Sequence, residues 1–181
     1  MGSIRVIAGT SKGRKLETPS WEGLRPTSDR LRETLFNILS PRVAGARVLD
    51  GFAGTGALGI EALSRGASHV TFVERDPRAV RLIGGNLVRA GIADVKACNI
   101  VRAGFIEAAS DHAGADFDLV LLDPPYGDKE LGAVVEAAAS ILSDDGLVVL
   151  EHATRVAAPD GAVRTVKAGD SSLSFYEKRS G

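Results

Sequence analysis

The chain has 181 residues, 44% of them apolar and 25% charged, enough for one α/β domain with a real core and too few for two full ones. A net charge of −1 gives no argument for nucleic-acid binding, and a single cysteine, Cys98, excludes an internal disulfide and a cysteine-rich metal centre. No apolar run approaches a membrane span and no signal-peptide h-region is visible, so a reducing, cytoplasmic setting is expected.

The charge is unevenly spread. From Met1 to Arg47 nine Lys and Arg stand against four acids, which leaves −6 for the remainder. A basic arm on an acidic body suits an anionic partner, although solubility alone explains it equally well.

Ser3–Ala8 alternates apolar and polar residues, and Lys15–Thr18 can return beside it as a hairpin across Gly9–Gly13. That pairing gathers Lys12, Arg14 and Lys15 at the tip. Pro19 to Pro26 reads as an irregular connection. Thr27 or Ser28 then caps a helix to about Leu39, with Leu31, Leu35, Phe36, Ile38 and Leu39 on its apolar side and Pro41 ending it. From Arg47 onwards strands and helices alternate. Strands are expected at Arg47–Asp50, His69–Glu74, Asp94–Asn99, Asp118–Asp123 and Gly146–His152. Helices are expected near Ala57–Arg65, Pro77–Ala90, Val101–Ala109 and Lys129–Ser143. The continuously apolar runs Leu119–Leu122 and Leu147–Leu150 are what a parallel sheet buried on both faces requires. Ala162–Ala168 and Ser172–Lys178 have no helix between them, so they should pair antiparallel. The organisation expected is a basic hairpin-and-helix extension over residues 1–40 and an α/β, Rossmann-like domain over 41–181.

One stretch organises the rest. Val48-Leu49-Asp50-Gly51-Phe52-Ala53-Gly54-Thr55-Gly56 runs from a strand through three glycines into a helix. Glycines allow positive φ and a close ligand approach, and the first N–H groups of the helix face the same spot. Gly54, Gly56 and Gly59 formally fit G-x-G-x-x-G, which could cradle a dinucleotide. Two acids argue otherwise. Asp50 closes the strand, where it would repel a pyrophosphate but receive an amino group. Glu74 ends the next strand, where it can accept both hydroxyls of a ribose. A ligand with an ammonium group, a ribose and no phosphate is S-adenosylmethionine. The edge of the third strand brings in Asn99, which either bonds an adenine amine or caps the following helix, and Ile100 and Arg75, which can flank the ring.

Asp123-Pro124-Pro125-Tyr126 ends the fourth strand. Two consecutive prolines remove two N–H donors, so the corner offers carbonyl oxygens, a carboxylate and a flat ring. That set suits an aromatic ring with an exocyclic amine. Asp123 and the Pro124 carbonyl would hold the two amine hydrogens while Tyr126 stacks on the ring. No strong base is needed, because the proton becomes acidic once nitrogen carries the methyl; catalysis would rest on positioning and on acceptors for developing positive charge.

With these residues in place, the chain resembles the class I, S-adenosylmethionine-dependent amino-methyltransferases. More closely it resembles the RsmD family, through Arg5–Gly9, Gly13–Leu16, Arg25-Pro26-Thr27, Asp29–Asn37, Gly59–Ala67, Glu151-His152 and Gly169–Ser174. The resemblance covers nearly the whole chain. It implies methylation of N2 of one guanine, the 966-type position, in 16S ribosomal RNA of assembled or partly assembled small subunits. It also implies a seven-stranded, mostly parallel sheet with an antiparallel C-terminal hairpin, and a monomer is expected. By position, Asp50, Gly51, Phe52, Ala53, Gly54, Gly56, Glu74 and Thr27 would surround the cofactor and Asp123 to Tyr126 the guanine. Lys12, Arg14, Lys15, Arg25, Arg30 and Arg32 would lie towards the RNA. Gly51 departs from the family, which more often has a bulkier apolar residue there; the missing side chain would loosen the methionine end of the pocket. Rival readings are methylation of another exocyclic amine (adenine N6 in RNA or DNA, or glutamine in a protein), an NAD-linked oxidoreductase, and a non-catalytic RNA-binding module.

Overall fold

Alternation along Ser3–Arg5 (β1) and Lys15–Glu17 (β2) makes one face of each short strand apolar, and Ile4 and Leu16 are buried opposite one another in an antiparallel pair. The ladder continues beyond the strands, Val6 N–H donating to the Arg14 carbonyl and Gly13 N–H to that of Val6. These features come from a computed structural model that describes residues 3–24, 26–92, 94 and 96–180.

The first helix, α1, spans Asp29–Val43, and the Ser28 hydroxyl caps it by accepting from Leu31 N–H. Pro41 does not end it, contrary to the expectation from sequence. It sits in the last turn, and the helix runs on until Val43, only 1% exposed, reaches the core.

Then come β3 (Arg47–Asp50), α2 (Ala57–Ser64), β4 (His69–Glu74), α3 (Pro77–Arg89), β5 (Cys98–Arg102), α4 (Phe105–Asp111), β6 (Phe117–Leu122), α5 (Leu131–Ser140), β7 (Leu142–Ala153), β8 (Arg164–Ala168) and β9 (Ser171–Glu177). Seven of the strands form one sheet in the order β5-β4-β3-β6-β7-β9-β8; β3 to β7 run parallel, while β9 is antiparallel to both β7 and β8. The fold is therefore α/β and Rossmann-like, with the terminal hairpin that the helix-free C-terminus implies.

Period-two alternation sends successive residues of the apolar strands to opposite faces. Val48, Leu119, Leu121, Leu147 and Val149 join α1, α2 and α3 in one core, which also takes Ile4, Val6 and Leu16 of the hairpin. Leu49, Val120, Leu122, Val148 and Leu150 join α4 and α5 in the other. Each fully buried side chain of this kind contributes about 1.5–3 kcal/mol over its exposed state.

Two strands depart from their patterns: β7 begins at Leu142, within the stretch expected as helix, rather than at Gly146, and β5 is displaced along the chain. β5 begins at Cys98 and reaches Arg102, rather than spanning Asp94–Asn99. Parallel pairing from Val70 opposite Cys98 to Glu74 opposite Arg102 matches its end to that of β4, and α4 starts only at Phe105, whose side chain is buried. Among the described residues no helix is long and apolar enough to cross a membrane.

Candidate active site

Strand order reverses between β3 and β6: the chain passes outward through β4 and β5, then returns to the other side of β3. Open α/β sheets bind ligands above such a point, beyond the carboxyl ends of the strands. A crevice of about 680 Å³ lies there, lined by the glycine loop, Glu74, Arg75, the 103–105 turn, Asp123 to Tyr126, Glu151 and the segment before α1.

The glycine loop is held from both sides. Gly51 N–H donates to the Leu121 carbonyl and Ala53 N–H to that of Val73, both at 2.9 Å. Gly54 and Gly56 take φ of +56° and +83°, a region that favours glycine. Glu74 joins the loop to the next strand, its two carboxylate oxygens accepting from Gly54 N–H at 2.9 Å and Asp76 N–H at 3.0 Å. It thus faces the crevice in a fixed orientation.

Asp50 lies beneath the loop, 1% exposed, with Oδ2 accepting from Gly59 N–H at 3.1 Å in the first turn of α2. Its Oδ1 is buried without a hydrogen-bond partner. Burial pushes its carboxyl up to about 7; the Gly59 N–H opposes that shift, and the charges of Asp123 and Glu74 add to it. An orphaned buried carboxylate oxygen is costly; Asp50 does not itself line the crevice, so a ligand ammonium would relieve it only by reaching below the loop. With Glu74 pinned on the neighbouring strand end, the residues fit an amino-acid-bearing nucleoside such as S-adenosylmethionine.

Gly51 does not leave a gap, which corrects the expectation of a loosened pocket. A Cβ there would stand 2.8 Å from both Phe105 Cδ2 and Leu122 Cδ2, so the Phe105 ring already fills the space. Phe105 also packs at 5.5 Å, tilted, on Phe52, which lines the crevice with Ala53.

On the opposite wall, Asp123, Pro124, Pro125 and Tyr126 all line the crevice. Thr27 Oγ1 donates to Asp123 Oδ2 at 2.6 Å. Tyr126 is 44% exposed at the mouth, and its hydroxyl shares a 3.1 Å hydrogen bond with Ser171 Oγ.

Two residues assigned to the adenine lie away from the crevice. Asn99 sits at the second position of β5, opposite Thr71, and its Oδ1 accepts from Thr71 Oγ1 at 2.9 Å and lies 3.0 Å from His69 Nε2. Ile100, opposite Phe72, packs against the core. The cause is the later start of β5, which brings Ala103, Gly104 and Phe105 to the ligand edge instead. Arg75 does line the crevice.

Among the basic residues, Lys12, Arg14, Lys15 and Arg30 are exposed. Arg32 is not: it is fully buried and donates to the Arg5 carbonyl at 2.9 Å and to the carboxylates of Asp29 and Glu61. Glu61 in turn accepts from Ile7 and Ala8 N–H at 2.7 and 3.2 Å. Arg32 therefore clamps the hairpin and α1 onto α2 and cannot reach RNA. Arg25 lies outside the described residues.

Leu24, Ser28, Glu151 and Ser171, to which the sequence reading gave no place in the pocket, also line the crevice. Glu151 was the most findable, since it directly follows a continuously apolar run, Leu147–Leu150, as Asp123 follows Leu119–Leu122.

The family model described as "Conserved hypothetical protein 95" matches residues 4–177. Ribosomal RNA small subunit methyltransferase D of Escherichia coli is 39% identical over 145 residues, 80% of this chain and 69% of its own. The protein YlbH of Bacillus subtilis is 36% identical over 97% of this chain and all of its own. The solved structure of a hypothetical protein of Thermus thermophilus, TTHA0928, superimposes with a TM-score of 0.83 at 31% identity, covering 96% of this chain and 99% of that one. The chain belongs to the RsmD family of S-adenosylmethionine-dependent ribosomal RNA methyltransferases.

Proposed function

We propose that the protein methylates the exocyclic N2 amine of one guanine in 16S ribosomal RNA, acting as a monomer on assembled or partly assembled small subunits. The observation that supports this reading is the shared crevice: Asp123 and Pro124 line it together with the glycine loop and Glu74. S-adenosylmethionine supplies the electrophilic methyl group.

The chain's own part is positional. Asp50 and Glu74 hold the cofactor's amino group and ribose. Asp123 and the Pro124 carbonyl accept the two N2 hydrogens, which leaves the nitrogen lone pair to face the methyl group. The Tyr126 ring stacks on the base, and the Ser171 bond holds its hydroxyl. As N2 becomes cationic, the Asp123 carboxylate stabilises the charge and takes the departing proton. Residues 1–40 form the RNA-contacting extension, with Lys12, Arg14, Lys15 and Arg30 set towards phosphates and the guanine drawn out of its loop.

Labelled methyl transfer to undermodified small subunits, followed by mass identification of the product nucleoside, tests this. N2-methylguanosine is the expected product. N6-methyladenosine, or no labelled nucleoside, contradicts it.

A further inference from the structure

Two carboxylates belong to neighbouring parallel strands at this crevice, Asp123 just beyond the end of β6 and Glu151 within the last residues of β7. Leu122 of β6 stands opposite Leu150 of β7, so Asp123 and Glu151 each follow directly on one member of a residue pair whose strands lie about 5 Å apart. Both are half-buried and both line the crevice, and Glu151 also lines a separate small gap with Thr27. The ligand that best matches them presents adjacent N–H donors.

Among bases with an exocyclic amine, guanine alone does so. Its Watson–Crick edge carries N1–H directly beside the N2 amine. Adenine and cytosine place a ring-nitrogen lone pair next to theirs, and a carboxylate meeting that lone pair is repelled and left unsatisfied. We propose that Glu151 is the specificity-determining residue of the site: its carboxylate accepts guanine N1–H while Asp123 and the Pro124 carbonyl hold the N2 amine. The assignment rests on the guanine-N2 reading above and adds to it the group that rejects other amines.

The test uses small subunits reconstituted with either guanine or 2-aminopurine at the target nucleotide. 2-Aminopurine keeps the N2 amine and presents a lone pair at N1. The wild-type protein should lose at least about tenfold in kcat/KM on 2-aminopurine, as sites built to bond a missing hydrogen do. Glu151→Gln, whose amide can donate to that lone pair, should lose activity on guanine and bring the two bases to within about threefold. S-adenosylhomocysteine affinity should be unchanged in the variant.

Equal wild-type rates on the two bases overturn the proposal without recourse to any variant. So does a Glu151→Gln protein that slows both substrates by the same factor, which is the signature of a merely structural role. Failure of the wild-type protein to methylate guanine at all would instead remove the guanine reading, and the wild-type guanine rate reports that separately.

Discussion

Thr27 Oγ1 donates a 2.6 Å hydrogen bond to Asp123 Oδ2, joining the residue just ahead of the α1 cap to the corner proposed to hold the base. It spans 96 positions of sequence and fixes one oxygen of the carboxylate.

A hydrogen bond to a charged group is worth about 1.5–3 kcal/mol. Thr27→Val should therefore lower single-turnover methyl transfer by about tenfold or more. S-adenosylhomocysteine affinity, measured by calorimetry, should stay within about twofold, because the bond orients the acceptor and not the cofactor. Equal loss of both would return Thr27 to a cofactor-binding role.

The Arg32–Glu61 pair is fully buried. Removing one partner of a buried pair costs about 3–5 kcal/mol. Arg32→Met should thus lower the melting temperature by about 10 °C in a chain of this size. The salt dependence of subunit binding should not change. Charge reversal of the exposed Lys12 and Arg14 should do the opposite: affinity for the subunit falls, the salt slope shrinks by about 1–2, and cofactor affinity holds.

The Asp50 carboxyl, pushed up to about 7 by burial, starts from 3.8 when unfolded. Between those values the folded state keeps a proton that the unfolded state has released, so ligand-free stability falls as pH rises and the loss is complete above about 7. Asp50→Asn removes the titration. Its melting temperature relative to wild type should rise between pH 5 and pH 8. A ligand ammonium needs the ionised carboxylate, so wild-type affinity for S-adenosylhomocysteine should climb through the same window. A flat difference in melting temperature would show that Asp50 does not titrate there.

Gly51→Ala places a Cβ 2.8 Å from Phe105 and Leu122. Overpacking of this kind costs about 1–3 kcal/mol. Thermal melts should show a drop of several degrees, and Phe105→Leu in the same chain should restore part of it, with a coupling of at least about 0.5 kcal/mol. Strict additivity would mean that the ring does not fill that space.

Legibility tracked the strength of local patterns. The bounds of β3 and β4 could be read to the residue, because a strand buried on both faces leaves a continuous apolar run that ends in an acid. β5 could not: it is an edge strand with the alternation of a half-covered surface, and its start is set by pairing with β4 rather than by its own residues. That shift moved Asn99 and Ile100 off the ligand edge. Arg32 misled for another reason. Its charge resembles that of Arg30 two positions earlier, and only the approach of Glu61 from α2 distinguishes a clamp from a phosphate contact. Phe105 filling the space at Gly51 is likewise a long-range fact with no local signal.

On the proposed reading, the strand end at Asp123 turns a guanine amine towards a donor seated above Gly54. Asp123→Ala, assayed for labelled methyl transfer to undermodified small subunits alongside S-adenosylhomocysteine binding, tests this most directly. Transfer should fall to background while binding persists. Near-wild-type transfer by that variant would contradict it.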